Sequence, residues 1–196
     1  PAPRPDSRPG PATEGASSSR ADTVEALVLA PEPGAIRGVV TDRGGICKCY
    51  DAATGKYVRW DANGDGGGIS RTEGEQSVFA EMEGPGCIWR IWSATVKAGH
   101  VRIYLDGATE PAVDLPFTGY FDGQHAPFTR PMLVHTTAAN GYNNYTPIPY
   151  QKSCKIVADP GWGQYYQFVY TTFPKGTQVP TFSRELSPAD NAALDE

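Results

Sequence analysis

The sequence "HVRIYLD" at residues 100–106 alternates between apolar and polar side chains. Val101, Ile103 and Leu105 would occupy one face of an extended strand, because successive side chains of a strand point to opposite faces. Arg102, Tyr104 and Asp106 would then occupy the other face. This period of two predicts a half-buried β-strand.

Similar runs lie on both sides of this strand. The run "CIWRIWSA" (87–94) follows a Glu-Gly-Pro-Gly turn at 83–86. Further strands are predicted at 77–82, 112–116, 132–137, 143–148, 153–158, 164–172 and 178–183. Pro147 and Pro149 indicate an edge strand or a bulge, because proline cannot donate to a ladder. About eight short strands without crossover helices predict an all-β jelly-roll β-sandwich.

The two ends of the chain differ from this pattern. Residues 1–21 are rich in proline and poor in large apolar side chains, which predicts a disordered tail or linker. Residues 22–46 are expected to form a short helix followed by a loop, and residues 47–183 the jelly-roll domain. Residues 184–196 are expected to begin a helix that leads to a missing second domain. Ser187 would cap this helix, with Pro188 at its first position and Asp190 at its third.

Charge and hydropathy exclude some partners. The chain has 17 basic and 22 acidic residues and a formal net charge of −5, which argues against a nucleic-acid partner. The apolar run Ala26–Ala30 is too short to cross a bilayer. We therefore expect no nucleic-acid and no membrane partner.

The stretch "WDANGD" (60–65) begins like a calcium loop. Counted from Asp61, the twelfth position of an EF-hand falls on Thr72, and the glutamate that should ligate there comes one residue late at Glu73. The alternatives are a non-EF calcium loop, a sugar-binding edge or a glycine-rich turn, and the turn is favoured over any metal. We predict no metal site and no cofactor.

The sequence carries only weak signs of other catalytic, metal-binding or sugar-binding sites. His100, His125 and His135 are too widely spaced to suggest a metal cluster. Cys87 and Cys154 lie in apolar runs and are predicted to be buried free thiols. The aromatic strand "WGQYYQFVYTTF" (162–173) could stack on sugars, but a core role is favoured. Candidate carboxylates for paired acid and nucleophile chemistry are Asp51, Asp61, Asp65, Glu81, Glu83, Asp106 and Asp114.

Six strings occur together in order: "WDANGD", "EGPGCIWRIWSA", "GHVRIYLDG", "PAVDLPFTGYFDG", "YTPIPYQKSCKI" and "YYQFVYTTFPKGTQVPTF". Together they resemble glycoside hydrolase family 172, first known as a domain of unknown function, over about Cys49 to Leu194. The resemblance implies the first half of a double jelly roll, assembled as a homotrimer or a multiple of it. It also implies cleavage of furanosides, of fructofuranoside or D-arabinofuranoside type, with retention of configuration.

The same resemblance places the two catalytic glutamates in the second jelly roll, so no catalytic residue is expected in this chain. Tyr50, Asp51, Asn63 and Asp65 match the family's first block, although Cys49 departs from its usual serine. Trp60 and Trp92 lie in two of the matching strings. These six residues form the predicted substrate-binding set.

The resemblance therefore implies a fragment of a furanoside-cleaving hydrolase that acts on an oligosaccharide or polysaccharide. We expect the protein to be secreted or periplasmic. The alternative is a non-catalytic jelly-roll module that binds glycan or builds an assembly.

Overall fold

A computed structural model describes the backbone of residues 36–41 and 45–51, and residues 71–138 and 140–196 with their side chains. The strands in these ranges are β1 (Ile36–Thr41), β2 (Gly45–Asp51), β3 (Arg71–Glu73), β4 (Gln76–Glu83), β5 (Gly86–Val96), β6 (His100–Leu105), β7 (Val113–Pro116), β8 (Val134–Thr136), β9 (Tyr142–Asn144), β10 (Ile148–Tyr150), β11 (Ser153–Ala158) and β12 (Gly163–Thr172). A 3-10 helix spans Phe117–Tyr120, and an α-helix, α1, spans Pro188–Asp195.

The strands form two antiparallel sheets. The first has the order β2-β1-β12-β5-β9-β8, with β10 also paired to β5, and the second has the order β3-β4-β11-β6-β7. Some neighbours come from distant parts of the sequence, as in the pairing of β12 with β5, and others are consecutive, as in the pairing of β6 with β7. The predicted all-β sandwich is confirmed.

The core lies between the two sheets. Val101, Ile103 and Leu105 of β6 are 0, 0 and 2% exposed, which confirms the predicted alternation. Phe79 of β4 stacks on Tyr166 of β12 with ring centroids 3.9 Å apart. The aromatic strand at 162–173 thus supplies core side chains, as its favoured interpretation predicts.

The segment after β12 covers the outer face of the first sheet. Phe173 and Val179 are buried with Cys87 in a second, smaller apolar cluster against Trp89. The predicted strand at 178–183 is wrong, since this stretch is irregular. Pro180 has no N–H to donate to a ladder, and Val179 donates its backbone N–H to the side chain of Gln151 at 2.8 Å.

Several other element predictions need correction. The loop assigned within residues 22–46 contains β1, which pairs with both β2 and β12. The predicted strand at 143–148 is split into β9 and β10, because Pro147 interrupts it. The predicted tail at 1–21 and the helix that follows it lie outside the described residues.

Helix α1 begins as predicted. The Ser187 side chain accepts a hydrogen bond from the Asp190 backbone, the Asp190 side chain accepts one from the Ser187 N–H, and Pro188 opens the helix. Arg130 anchors the helix to the sandwich by donating to the carbonyl of Asn191 at 3.0 Å and to Asp195 at 2.6 Å. Within the described residues, no helix combines the length and the hydropathy that crossing a bilayer requires.

Candidate functional site

The predicted substrate-binding residues fall in different parts of the structure. Tyr50 and Asp51 end β2, where their register partners in β1 are Arg37 and Ile36. Trp60, Asn63 and Asp65 lie outside the described residues, as does Asp61. The prediction that this stretch is a turn and not a calcium site therefore stays a prediction.

Trp92 lies in β5 of the same sheet, but not beside Tyr50. The row that contains Tyr50 runs through Arg37 and Thr171 to Cys87, whereas Trp92 pairs with Gln167 and Asn143. Three strand spacings and five residues separate the two positions, or roughly 14 Å across the sheet and roughly 15 Å along the strands. A single monosaccharide could not contact both.

The Trp92 side chain lies on the outer face of the first sheet. Its indole N–H donates to no described residue. An added Cβ at Gly141 would lie 3.2 Å from Trp92 Nε1 and 2.8 Å from Thr137 Oγ1. Glycine at this position therefore allows the indole to pack closely against the residues just before β9.

A polar and aromatic platform adjoins Trp92. Arg90 donates through Nε and Nη2 to Asn143 Oδ1 at 3.2 and 2.9 Å, and its guanidinium lies 5.7 Å from the ring centroid of Tyr145. The Tyr145 ring stacks in turn on His135, at 5.9 Å. Tyr145 is 40% exposed and Asn143 only 4%, so a buried amide fixes a platform whose aromatic surface faces solvent.

The outer face of the second sheet carries an open groove of about 600 Å³. Across its floor, Tyr104 of β6 pairs with Lys155 of β11, which pairs with Glu81 of β4. Side chains directly opposite each other on one face of a sheet are within contact distance. The groove therefore brings together an aromatic ring, a cation and a carboxylate from three strands.

Two carboxylates in this groove lie close together. Arg71 Nη2 donates to Glu73 Oε1 at 2.5 Å and to Glu81 Oε1 at 2.8 Å. The two oxygens are thus within the roughly 5 to 5.5 Å that separates the carboxyl groups of a retaining glycosidase. Lys155 Nζ also donates to both oxygens of Glu73, at 3.0 and 2.7 Å.

The charges around this pair disfavour acid catalysis by it. The hydrogen bond from Arg71 lowers the pKa of Glu81, and hydrogen bonds from Lys155 and Arg71 lower the pKa of Glu73. A general acid needs a raised pKa, so that it still carries its proton near neutral pH. Both glutamates stay ionised and serve as hydrogen-bond acceptors.

The other described carboxylate candidates differ in their partners. Asp106 accepts backbone hydrogen bonds from Lys152 and Ser153, which is a structural role. Asp114 Oδ1 lies 2.6 Å from His100 Nδ1, and Asp114 Oδ2 accepts a hydrogen bond from Arg102 Nε at 3.1 Å. Glu83 lines the groove, and its carboxylate has no hydrogen-bond or ion-pair partner among the described residues.

The described part of the chain contains no group of three or more His, Cys, Asp and Glu side chains that could hold a metal ion. Its histidines have separate neighbours, namely Asp114 for His100, Asp122 for His125 and Tyr145 for His135. Cys87 and Cys154 are buried free thiols, as predicted. Burial raises the pKa of both thiols, so neither is a reactive thiolate.

This chain matches a known protein family. The family model described as the GH172 first beta-sandwich domain covers residues 46–190. The chain belongs to the GH172 family. A comparison with curated proteins gives no match.

The two most specific strings of the GH172 resemblance meet in the structure. Pro149 pairs with Cys87 and Tyr150 with Gly86, so "EGPGCIWR" and "PIPYQKSCKI" form neighbouring strands. A Cβ added to Gly86 would lie 2.5 Å from the Tyr150 hydroxyl and 2.8 Å from the Thr171 carbonyl oxygen. This close approach gives a physical reason for glycine at this position.

Several polar residues of the GH172 domain were not predicted from the sequence. Arg71 and Glu73 were not selected because β3 was not predicted. The available signal is Gly74, whose φ of 62° suits the first position of a two-residue hairpin turn between Glu73 and Gln76. Arg90 and Asn143 carry no local signal, because their contact depends on the pairing of β5 with β9.

Proposed function

We propose that this GH172 domain is part of a hydrolase that cleaves furanosides of fructofuranoside or D-arabinofuranoside type with retention of configuration. The observation that carries the proposal is the family match over residues 46–190. GH172 membership indicates a glycoside-hydrolase-related function and an interaction with carbohydrate. The furanoside substrate and the retaining mechanism are the proposed part.

The catalytic carboxylates are proposed to lie outside the described residues of this domain. The close carboxylate pair that the structure describes, Glu73 and Glu81, is neutralised by Arg71 and Lys155. In a retaining mechanism one carboxyl group must hold a proton and the other must be a free nucleophile. Neither condition is met here.

Substrate contact is proposed for Trp92, together with Tyr50, Asp51, Trp60, Asn63 and Asp65. Trp92 supports this role because its indole N–H is unpaired among the described residues and its ring is partly exposed. An indole combines an apolar face with one donor, which suits the alternating C–H and O–H surface of a sugar. Since Tyr50 is far from Trp92, the set would contact a chain of several sugar units or two different copies of the substrate.

The second candidate is a non-catalytic glycan-binding module. The described residues fit this candidate, because their close carboxylate pair, Glu73 and Glu81, supports hydrogen bonding and not proton transfer. In this case the natural full-length protein would bind furanosides without releasing product.

The test is hydrolysis by the natural full-length protein. Fructofuranosides and arabinofuranosides are supplied separately, and the anomer first released is identified by proton NMR. Hydrolysis of at least one class with retention is expected. Binding without product would favour the non-catalytic candidate, and inversion would overturn the retaining mechanism.

Variants of the same protein test the role of Trp92. Trp92→Ala should lower kcat/KM roughly tenfold, a typical cost for losing a buried aromatic contact with a ligand. Trp92→Phe should lose less, since it keeps a ring. Met132→Ala is the matched control, because Met132 is 87% exposed and should leave kcat/KM unchanged.

A homotrimer, or a multiple of it, is the proposed assembly. The resemblance to the family supports this, and closed cyclic symmetry is common among soluble oligomers. Sedimentation equilibrium of the natural protein should give three times the chain mass or a multiple of three. A monomer or dimer across the accessible concentration range would contradict the trimer without affecting the proposed activity.

A further inference from the structure

The groove on the outer face of the second sheet has no part in the proposed substrate contacts. It lies across β4, β11 and β6, and the turn after β6 contributes Gly107, Ala108 and Thr109 to its wall. Trp92 and its platform lie on the outer face of the opposite sheet, across the full thickness of the sandwich. A ligand in this groove would therefore bind independently of one at Trp92.

Ion pairs orient the charged side chains of the groove. Arg71 bridges Glu73 and Glu81, and Lys155 holds Glu73 from the other side. Fixed polar groups lose little conformational entropy when a ligand binds, which favours recognition. The same pairs leave the floor close to electrical neutrality, since two cations face three carboxylates when Glu83 is included.

Hydrogen-bonding capacity remains after these pairs are made. Lys155 has three N–H donors and gives its described hydrogen bonds to Glu73 alone. The Glu83 carboxylate and the Tyr104 hydroxyl have no partner among the described residues. Donors and acceptors thus lie side by side, which matches a ligand whose groups both donate and accept.

The chemistry of the groove selects among ligand classes. A free cation would find only the Glu83 carboxylate unpaired, since Arg71 and Lys155 already bind Glu73 and Glu81, and an anion would be repelled by Glu81 and Glu83. A neutral ligand rich in hydroxyl groups avoids both costs. The Tyr104 ring, half-buried in the floor, adds a surface on which the C–H face of a sugar ring can stack.

We propose that this groove is a second carbohydrate-binding site, in which Tyr104 stacks on a neutral sugar unit while Glu81, Glu83 and Lys155 bond its hydroxyl groups. The proposal rests on the proposed function to the extent that the ligand is a carbohydrate. The site holds a glycan segment and does not cleave it, because its close carboxylates are neutralised.

The experiment measures binding and hydrolysis in the natural full-length protein. The probes are an inulin-type fructo-oligosaccharide and an arabinofuranosyl oligosaccharide at millimolar concentrations, with glycerol as the hydroxyl control. Isothermal titration calorimetry on a variant without Trp92 (Trp92→Ala) should still detect oligosaccharide binding. In that background, Tyr104→Ala should weaken the affinity about fivefold or more, and Glu83→Gln should weaken it less.

Tyr104→Phe separates ligand stacking from fold stability, because it keeps the ring and removes only the hydroxyl. It should retain most of the affinity, and circular dichroism should show that all variants are folded. Hydrolysis of a short substrate should be unchanged in Tyr104→Ala. Unchanged affinity in a folded Tyr104→Ala, or no oligosaccharide binding in the Trp92→Ala background, would overturn this site.

The failure of this site and the failure of the proposed function give different results. If the protein hydrolyses furanosides but Tyr104→Ala binds normally, the second site is wrong and the proposed function stands. If Tyr104 controls oligosaccharide binding in a protein that never releases product, the groove is confirmed and the hydrolase proposal fails.

Discussion

Asp106, at the end of β6, uses both carboxylate oxygens to hold two other segments of the chain. Oδ1 accepts from the backbone N–H groups of Lys152 and Ser153 at 2.5 and 3.2 Å. Oδ2 accepts a hydrogen bond from the Thr181 hydroxyl. A residue proposed from sequence as a catalytic carboxylate is thus a connection between β6, the start of β11 and the segment after β12.

The electrostatics of Asp106 agree with this structural role. Burial alone would raise the pKa of its carboxyl group, but hydrogen bonds from Thr181, Lys152 and Ser153 outweigh burial and lower it. Asp106 also has a φ of 58°, a left-handed conformation that asparagine and aspartate tolerate better than other residues with a Cβ.

Substitutions at Asp106 should therefore separate its two contributions. Asp106→Asn keeps the backbone preference and one acceptor, and should lower the free energy of unfolding by about 1–2 kcal/mol. Asp106→Ala also places an unsuited residue in the left-handed region and should cost about 1–2 kcal/mol more. Urea unfolding at neutral pH measures both values.

Glu110→Gln is the control, since Glu110 is an exposed carboxylate in the same turn region. It should change the free energy of unfolding by less than about 0.5 kcal/mol. Equal stability of Asp106→Ala and Asp106→Asn would show that the left-handed backbone makes no contribution.

At the scale of elements, local periodicity predicts the strands that pack on the core. The strands β6 and β11 fall where alternation places them, at His100–Leu105 and Ser153–Ala158. In β6, one face meets the opposite sheet and the other meets solvent or polar neighbours. In β11, the same alternation holds over 153–156, before the irregularity at Val157. Burial on one face is what produces a period of two in the sequence, so these strands can be predicted without a structure.

The sequence patterns did not predict elements that lack an alternating buried face. The short strand β3 has all three residues exposed, so it shows no alternation of burial, and it exists because Gly74 lets the chain turn back onto β4. The stretch 178–183 shows the converse. Its apolar residues Val179 and Phe182 are buried, but they belong to a covering segment and not to a ladder.

The candidate sites were predictable only in part for the same reason. Trp92 is placed correctly on a strand of the predicted sandwich, yet Asn143 joins it only because β9 pairs with β5. Arg90 lies on the same strand as Trp92, and the same pairing brings it to Asn143. Tyr104, Lys155 and Glu81 come from three strands, and a sequence without a known register cannot align them. Register decides which side chains share a site, and it is the property that single-sequence patterns specify least.

At the scale of the whole molecule, ion pairs connect the strands of the second sheet on its outer face. Arg71 joins β3 to β4, Lys155 joins β11 to β3, and Arg102 of β6 bonds Asp159 and Asp114. Hydrogen bonds from Arg102 and Gln76 lower the pKa of Asp159, just as those from Arg71 and Lys155 lower the pKa values of Glu81 and Glu73.

This network predicts a loss of stability in acid. A carboxyl group whose pKa is lower in the folded state than in the unfolded state stabilises the fold above its unfolded pKa, near 4. That contribution disappears as the pH falls through the lower, folded pKa. The Tm, followed by circular dichroism, should change little between about pH 7 and pH 5 on account of these groups and should fall steeply below about pH 4.

Asp159→Asn isolates one part of this effect. Arg102 donates two hydrogen bonds to Asp159, at 2.7 and 2.8 Å, and the variant removes the negative charge that they satisfy. It should lower the free energy of unfolding by about 1 kcal/mol at neutral pH. Protonation removes the same charge from the wild type in acid, so the two stability curves should converge below about pH 3. A difference that stays constant from neutral pH into acid would show that Asp159 acts through packing, and that its charge contributes nothing to the acid sensitivity of the sandwich.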